Sequence, residues 1–303
     1  MDRINCNLYS YENYFQSINN LLNSKNLPQS IIFSGEDGLG KKTFLLHFFS
    51  FCLLDDLAKK EYLKNFVLKD LNILKKLVNN EFANFKIIER GVKKASIQID
   101  QIRELISFCS YKASIKTPRF ILISNIEDLN SSATNSLLKL LEEPPKNTYF
   151  FLIRNSHSKI YETILSRCHK VNIKINKKTS SVILNKLLND FDLSDFDNYS
   201  HFDPFDTPGS VVKKIIYMKK NELTNLNFME IIKFFYEDYK KNKNFEALEY
   251  GNQTTKKIFF DKYQDNYKKY KKLYSFFEKR SKELISFNSN IDSTYEIIQK
   301  LGK

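Results

Sequence analysis

The sequence predicts an α/β domain, a mostly parallel sheet with flanking helices, followed by an all-α C-terminal region. Three observations predict it. Short apolar runs alternate with helix-period segments through the first half. A glycine loop joins the first apolar run to a helical one. After about residue 174 the strand signals stop, and apolar residues recur three and four apart.

Taken in order, a helix is predicted near 10–24, a strand over Ile31 to Ser34 and a helix over 42–54. The Lys-rich, Leu-spaced stretch 56–80 reads as one or two solvated helices inserted before the next strand, Phe85 to Glu89. A helix over 98–110 follows, with Ile99, Ile102, Leu105 and Ile106 on one face. Strand Phe120 to Ser124, helix 131–142, strand Tyr149 to Ile153 and strand Lys170 to Ile173 complete the α/β pattern. Beyond it come a helical unit from Ser180 to Phe191 and an Asp/Asn-rich turn region over 192–206. Thr207-Pro208-Gly209-Ser210 then opens a further helical run. From 212 the pattern is helical to the end, with an interruption expected only near Gly251. The predicted division is residues 1–173, 174–211 and 212–303.

A chain of 303 residues with 42% apolar and 27% charged residues can bury a sizeable core. Its net charge of +13 brings an anionic partner such as nucleic acid into consideration. From residue 211 onward there are 20 Lys and Arg against 12 Asp and Glu, so most of the excess lies there. Only seven residues of the whole chain are Arg, and the Lys excess reads first as solvated helix faces. No uncharged apolar stretch reaches the length of a spanning helix, and the N-terminus lacks a secretory pattern, so a cytoplasmic location is expected. Cys6, Cys52, Cys109 and Cys168 form no CxxC pair and predict neither a disulfide framework nor a zinc site. His47, His157, His169 and His201 lack ligand or triad spacing.

Gly35-Glu36-Asp37-Gly38-Leu39-Gly40-Lys41-Lys42-Thr43 stands between a predicted strand and a predicted helix. That is the order of a phosphate-binding loop, in which backbone N–H groups turn inward and Lys41 reaches the β- and γ-phosphates. Gly35, Gly38, Gly40, Lys41, Lys42 and Thr43 are therefore the candidate nucleotide-binding residues. The residue after the lysine should carry a hydroxyl for Mg²⁺, and here it is Lys42. Thr43 could replace it only after a one-residue shift, a rotation of about 100°. The second motif expected at the end of the strand Phe120 to Ser124 is missing too. Glu127 and Asp128 fall three residues late and are expected beyond the pocket, at the start of the next helix. No metal site is predicted.

Residues 130–145, Asn-Ser-Ser-Ala-Thr-Asn-Ser-Leu-Leu-Lys-Leu-Leu-Glu-Glu-Pro-Pro, resemble the NALLKxLEEPP signature of bacterial clamp-loader subunits. Thr163-Ile164-Leu165-Ser166-Arg167-Cys168 resembles their SRC motif. With Leu27-Pro28-Gln29-Ser30-Ile31 and the strand from Thr148 to Ile153, the resemblance covers about residues 10–172. It implies a P-loop AAA+ module, a small helical lid and an all-α collar. It places Ser124 at the position of the Mg²⁺ aspartate and Asn125 at that of the catalytic glutamate. The first sensor falls near Arg154 and Asn155, and Ser210 takes the place of the second sensor's arginine. The family's four-Cys zinc module has only Cys52 near its place.

Loss of both an intact phosphate loop and the acidic pair, beside a retained SRC motif, implies the non-hydrolysing branch of the family. Arg167 would then act in trans on a neighbour's triphosphate, with Ser166 a helix N-cap and Cys168 a packing residue. ATP or ADP would be held, if at all, without hydrolysis. The alternative is an active, motor-type AAA+ ATPase using Thr43, Glu127 or Asp128. Implied partners are motor subunits of the gamma/tau type, a delta subunit, the sliding clamp and primer-template DNA within DNA polymerase III, with no membrane. Glu142-Glu143-Pro144-Pro145 should end its helix, its acids free to pair across a subunit seam.

Overall fold

A computed structural model describes residues 5–91, 94–111, 118–156, 158, 160–196, 202, 206–263, 265–266, 268–273, 275–276, 279 and 296. His157 and His201 lie outside the described residues. The chain divides into two compact units. One comprises residues 1–90, 96–191 and 207–209, and the other comprises 91–95, 192–206 and 210–303.

The first unit is a five-stranded parallel sheet in the order β2-β3-β4-β1-β5. Its strands are β1 (Ser30–Gly35), β2 (Phe85–Glu89), β3 (Arg119–Ser124), β4 (Thr148–Asn155) and β5 (His169–Asn172). Every predicted strand is present, with ends displaced by one or two residues at most. The side chains alternate between two apolar layers, as the period of a strand requires. Phe33, Phe120, Leu122, Phe151 and Ile153 face one layer, while Ile32, Ile121, Ile123, Phe150 and Leu152 face the other.

The first layer is covered by α1 (Glu12–Asn23), α2 (Lys41–Leu53), α3 (Asp56–Asn65) and α4 (Leu71–Val78). It is built largely of aromatic rings. Phe15 meets Phe48, Phe51 and Phe66 edge-on at 5.1–5.6 Å, and Phe49 stacks on Phe120 at 5.4 Å. The stretch 56–80 is two helices, but they are not simply solvated. Tyr62, Leu74 and Leu77 are buried in this layer, so the Lys-rich outer face conceals an apolar inner one. The second layer is covered by α5 (Ile99–Ser110), α6 (Ser131–Glu142) and the short α7 (Glu162–Leu165). Cys109 and Cys168 are buried in it, whereas Cys6 and Cys52 are half-buried. Helix α8 (Lys177–Asp190) follows β5.

The second unit holds α10 (Phe228–Asn242), α11 (Phe245–Tyr263) and most of α9 (Pro208–Lys220). The expected interruption at Gly251 is corrected: Gly251 is buried inside α11. A Cβ there would come within 3.3 Å of Phe235 Cβ and 3.5 Å of the Tyr236 ring, so the glycine serves close helix packing. The chain instead breaks at Lys243, whose left-handed backbone (φ 52°) ends α10. Among the described residues no helix is long and apolar enough to cross a membrane.

Candidate functional site

Strands β1, β2, β3 and β4 run parallel and end at Gly35, Glu89, Ser124 and Asn155. Ligands of open α/β sheets bind along this carboxyl edge. The glycine loop lies on it, between Gly35 and the first residue of α2, Lys41. Gly38 (φ 75°) and Gly40 (φ 86°) occupy the left-handed region that favours glycine. Lys41 is buried, and its ammonium donates to the carbonyls of Gly35 (2.8 Å) and Glu36 (2.6 Å). The cation of the loop is thus folded back on the loop itself.

Residues 207–209 close against the same loop. The Thr207 hydroxyl donates to the Asp37 carbonyl, and the Gly209 N–H donates to the Gly38 carbonyl at 2.9 Å. A Cβ at Gly209 would stand 2.5 Å from that carbonyl oxygen, so only glycine permits the approach. Ser210 comes next and carries no guanidinium.

Lys42 forms an ion pair with Glu89 at 2.5 Å. Glu89 ends β2 directly opposite Ser124 in the register of the sheet, and the Gln101 amide donates to its carbonyl. An ammonium paired with a carboxylate therefore takes the sequence position at which a hydrolysing P-loop protein carries its Mg²⁺-binding hydroxyl. With Lys42 after the loop lysine and Ser124 at the end of β3, these residues do not fit a magnesium ion. Thr43 is half-buried one position further along α2. Glu89 is a residue that sequence reasoning missed. Its place at the end of a strand neighbouring Ser124 was the available signal.

The expectation for Glu127 and Asp128 is corrected. They form a 3-10 turn, Ile126–Asp128, ahead of α6. Glu127 turns back to the carboxyl edge, where its Oε1 accepts from the Asn155 N–H at 2.9 Å. Asn155 is paired with Gly35 across the sheet. The other Glu127 oxygen, Oε2, is buried with no hydrogen-bond partner among the described residues. Burial pushes the Glu127 carboxyl above the usual carboxylate range, against the pull of the Asn155 N–H and of the Lys41 charge. Asp128 is raised by burial as well, while Arg90, 3.9 Å away, draws it down. Arg154 donates from Nη2 to the Ser158 carbonyl.

Arg167 stands apart from this loop, past the end of α7. The assignment of Ser166 as a helix N-cap is also corrected. Tyr161 precedes α7, and Ser166 closes it, its hydroxyl donating to the Thr163 carbonyl at 3.1 Å. The reversal follows from Thr163-Ile164-Leu165 being the helix itself, so that Ser-Arg-Cys leads into β5. The Arg167 guanidinium is partly exposed and pairs with Glu142, the last residue of α6, at 2.5 Å. Glu142-Glu143-Pro144-Pro145 does end its helix, but Glu142 pairs within its own chain. Among the other histidines, His169 is exposed on β5, and His47 is buried in the core.

A parallel sheet of this order, with a glycine loop between the inner strand β1 and α2, is a P-loop module of the AAA+ class. A family model described as "DNA polymerase III, delta subunit" matches residues 11–177. The chain belongs to that family. Among curated relatives, the DNA polymerase III subunit delta' of Pseudomonas aeruginosa is 34% identical over 85 residues, 28% of this chain and 26% of that protein. The corresponding subunit of Buchnera aphidicola subsp. Baizongia pistaciae is 40% identical over 73 residues, 24% of this chain and 22% of that protein. The chain thus aligns with about a quarter of the length of these relatives. The DNA polymerase III subunit gamma of Buchnera aphidicola subsp. Schizaphis graminum is 30% identical over 166 residues, 48% of this chain and 44% of that protein. A solved gamma subunit-related protein of Thermotoga maritima superposes with a TM-score of 0.49 at 15% identity, covering 95% of this chain and 98% of that one.

Proposed function

We propose that this clamp-loader-family subunit does not hydrolyse ATP itself but lends Arg167 to the ATP site of a neighbouring subunit while the ring loads the sliding clamp. The Lys42–Glu89 pair carries this reading. It replaces the expected hydroxyl with a cation that cannot coordinate a phosphate-bound Mg²⁺, and without that ion the charge developing on a transferring phosphoryl group is not neutralised. A nucleotide on this loop is held, as ATP or ADP, and not turned over. Arg167 supports the other half of the proposal, because a guanidinium keeps its charge and offers a planar fork of donors to phosphate oxygens.

In this reading the partners are gamma/tau-type motor subunits, a delta subunit, the sliding clamp and primer-template DNA. Residues 174–211 act as a lid and 212–303 as the collar that assembles the ring, and the protein works in the cytoplasm. Glu127 favours a second reading, an active ATPase, because its buried carboxylate sits at the carboxyl edge and senses Lys41. Mg²⁺-dependent ATP turnover by the purified chain, with Lys41→Ala as control, separates the two. The expected result is no turnover above the control. Turnover that Lys41→Ala abolishes would establish the second reading.

A further inference from the structure

We infer that Glu142 is a latch on Arg167, and that delivery of the guanidinium to a neighbour requires exchange of the Glu142 carboxylate for phosphate oxygens. The inference rests on the reading of Arg167 as a cation acting in trans. Three acceptors of the same chain converge on its fork. Nη2 donates to Glu142 Oε1 at 2.5 Å, and Nη1 donates to the Thr163 carbonyl at 2.8 Å and to the Ser166 hydroxyl at 3.3 Å.

Two of these acceptors lie at negative helix ends. Glu142 closes α6, where a carboxylate is poorly placed for its own helix dipole and gains from a nearby cation. Thr163 contributes one of the last carbonyls of the four-residue α7, which a basic side chain just beyond the helix can satisfy. The local sequence therefore draws Arg167 flat against its own subunit.

The same geometry keeps the latch weak. The Arg167 and Glu142 side chains are 32% and 47% exposed, so water screens the pair. A triphosphate offers several charged oxygens to the fork and can take both of its donor edges at once. Glu142 thus holds the guanidinium until a stronger anion is presented. If Glu142 instead aimed Arg167 at the neighbour, its removal would have the opposite effect.

The test uses the reconstituted clamp-loader ring, assayed for ATP turnover without DNA. Glu142→Gln should raise turnover about two- to fivefold, the range that an exposed ion pair is worth. It should raise nothing in a ring whose copy of this chain also carries Arg167→Ala. Unchanged turnover, or a fall toward that of Arg167→Ala alone, would overturn the latch. Solvent exchange of the Arg167 guanidinium protons, followed by NMR in the isolated full chain, reads the latch without the ring. Exchange should quicken in Glu142→Gln and quicken further in Glu142→Ala, and equal rates in all three would overturn it. If Arg167→Ala leaves ring turnover unaltered, the trans-acting reading fails while the exchange rates still decide whether Glu142 holds the side chain.

Discussion

His47 is enclosed in the aromatic layer, with Nδ1 3.1 Å from the Tyr62 hydroxyl and Nε2 3.0 Å from the Asn5 carbonyl. A carbonyl only accepts, so Nε2 carries the proton and Nδ1 accepts from Tyr62. Burial lowers its pKa from 6.5 to about 4. The neutral form is therefore native, and below pH 6.5 unfolding takes up a proton. Stability from this site is complete above pH 6.5 and is lost as the pH falls toward 4, by up to about 3 kcal/mol. Urea unfolding at pH 7 and pH 4.5 should show a smaller pH-dependent loss in His47→Gln than in the parent. An identical loss in both would contradict the assignment. The sequence showed that His47 had no catalytic spacing, but its two partners, 15 and 42 residues away, come together only in the folded layer.

Helices and strands were legible in the first half because burial on two faces writes long apolar runs into parallel strands. What escaped the sequence was decided by packing between elements. Gly251 is the plainest case, because a glycine inside a helical pattern reads as a break unless the neighbouring helix is known. Here Phe235 is fully buried and its Cβ is fixed to the backbone of α10, so it cannot yield to a larger side chain. Gly251→Leu should destabilise the protein by about 1–3 kcal/mol through overpacking, despite the better helix propensity of leucine. A thermal midpoint equal to the parent's would show that α10 and α11 are not in close contact at this position. Glu127 escaped for a related reason: the 3-10 turn after β3 returns the acid to the sheet edge, whereas an immediate start of α6 would have carried it away. Ser166 was misplaced because SRC follows α7 and does not open it.

At the scale of the molecule, family membership was readable from two neighbouring sequence signatures, and the fold brings their ends together. The LEEPP helix stops at Glu142 and the SRC segment reaches it across 25 residues, by way of β4 and α7. The phosphate loop was equally legible, as was the cation where a metal ligand belongs, but the counter-ion Glu89 was not, since strand order decides which acid stands beside Lys42. Together these features describe a subunit whose own loop is closed on itself and whose arginine lies on a surface. The most direct measurement is the single-turnover rate of ATP hydrolysis at the motor site adjoining this chain, in a ring where only this chain carries Arg167→Ala. The account predicts a fall at that site of about 10³-fold or more, with ring assembly retained. A rate equal to that of the unaltered ring would contradict it.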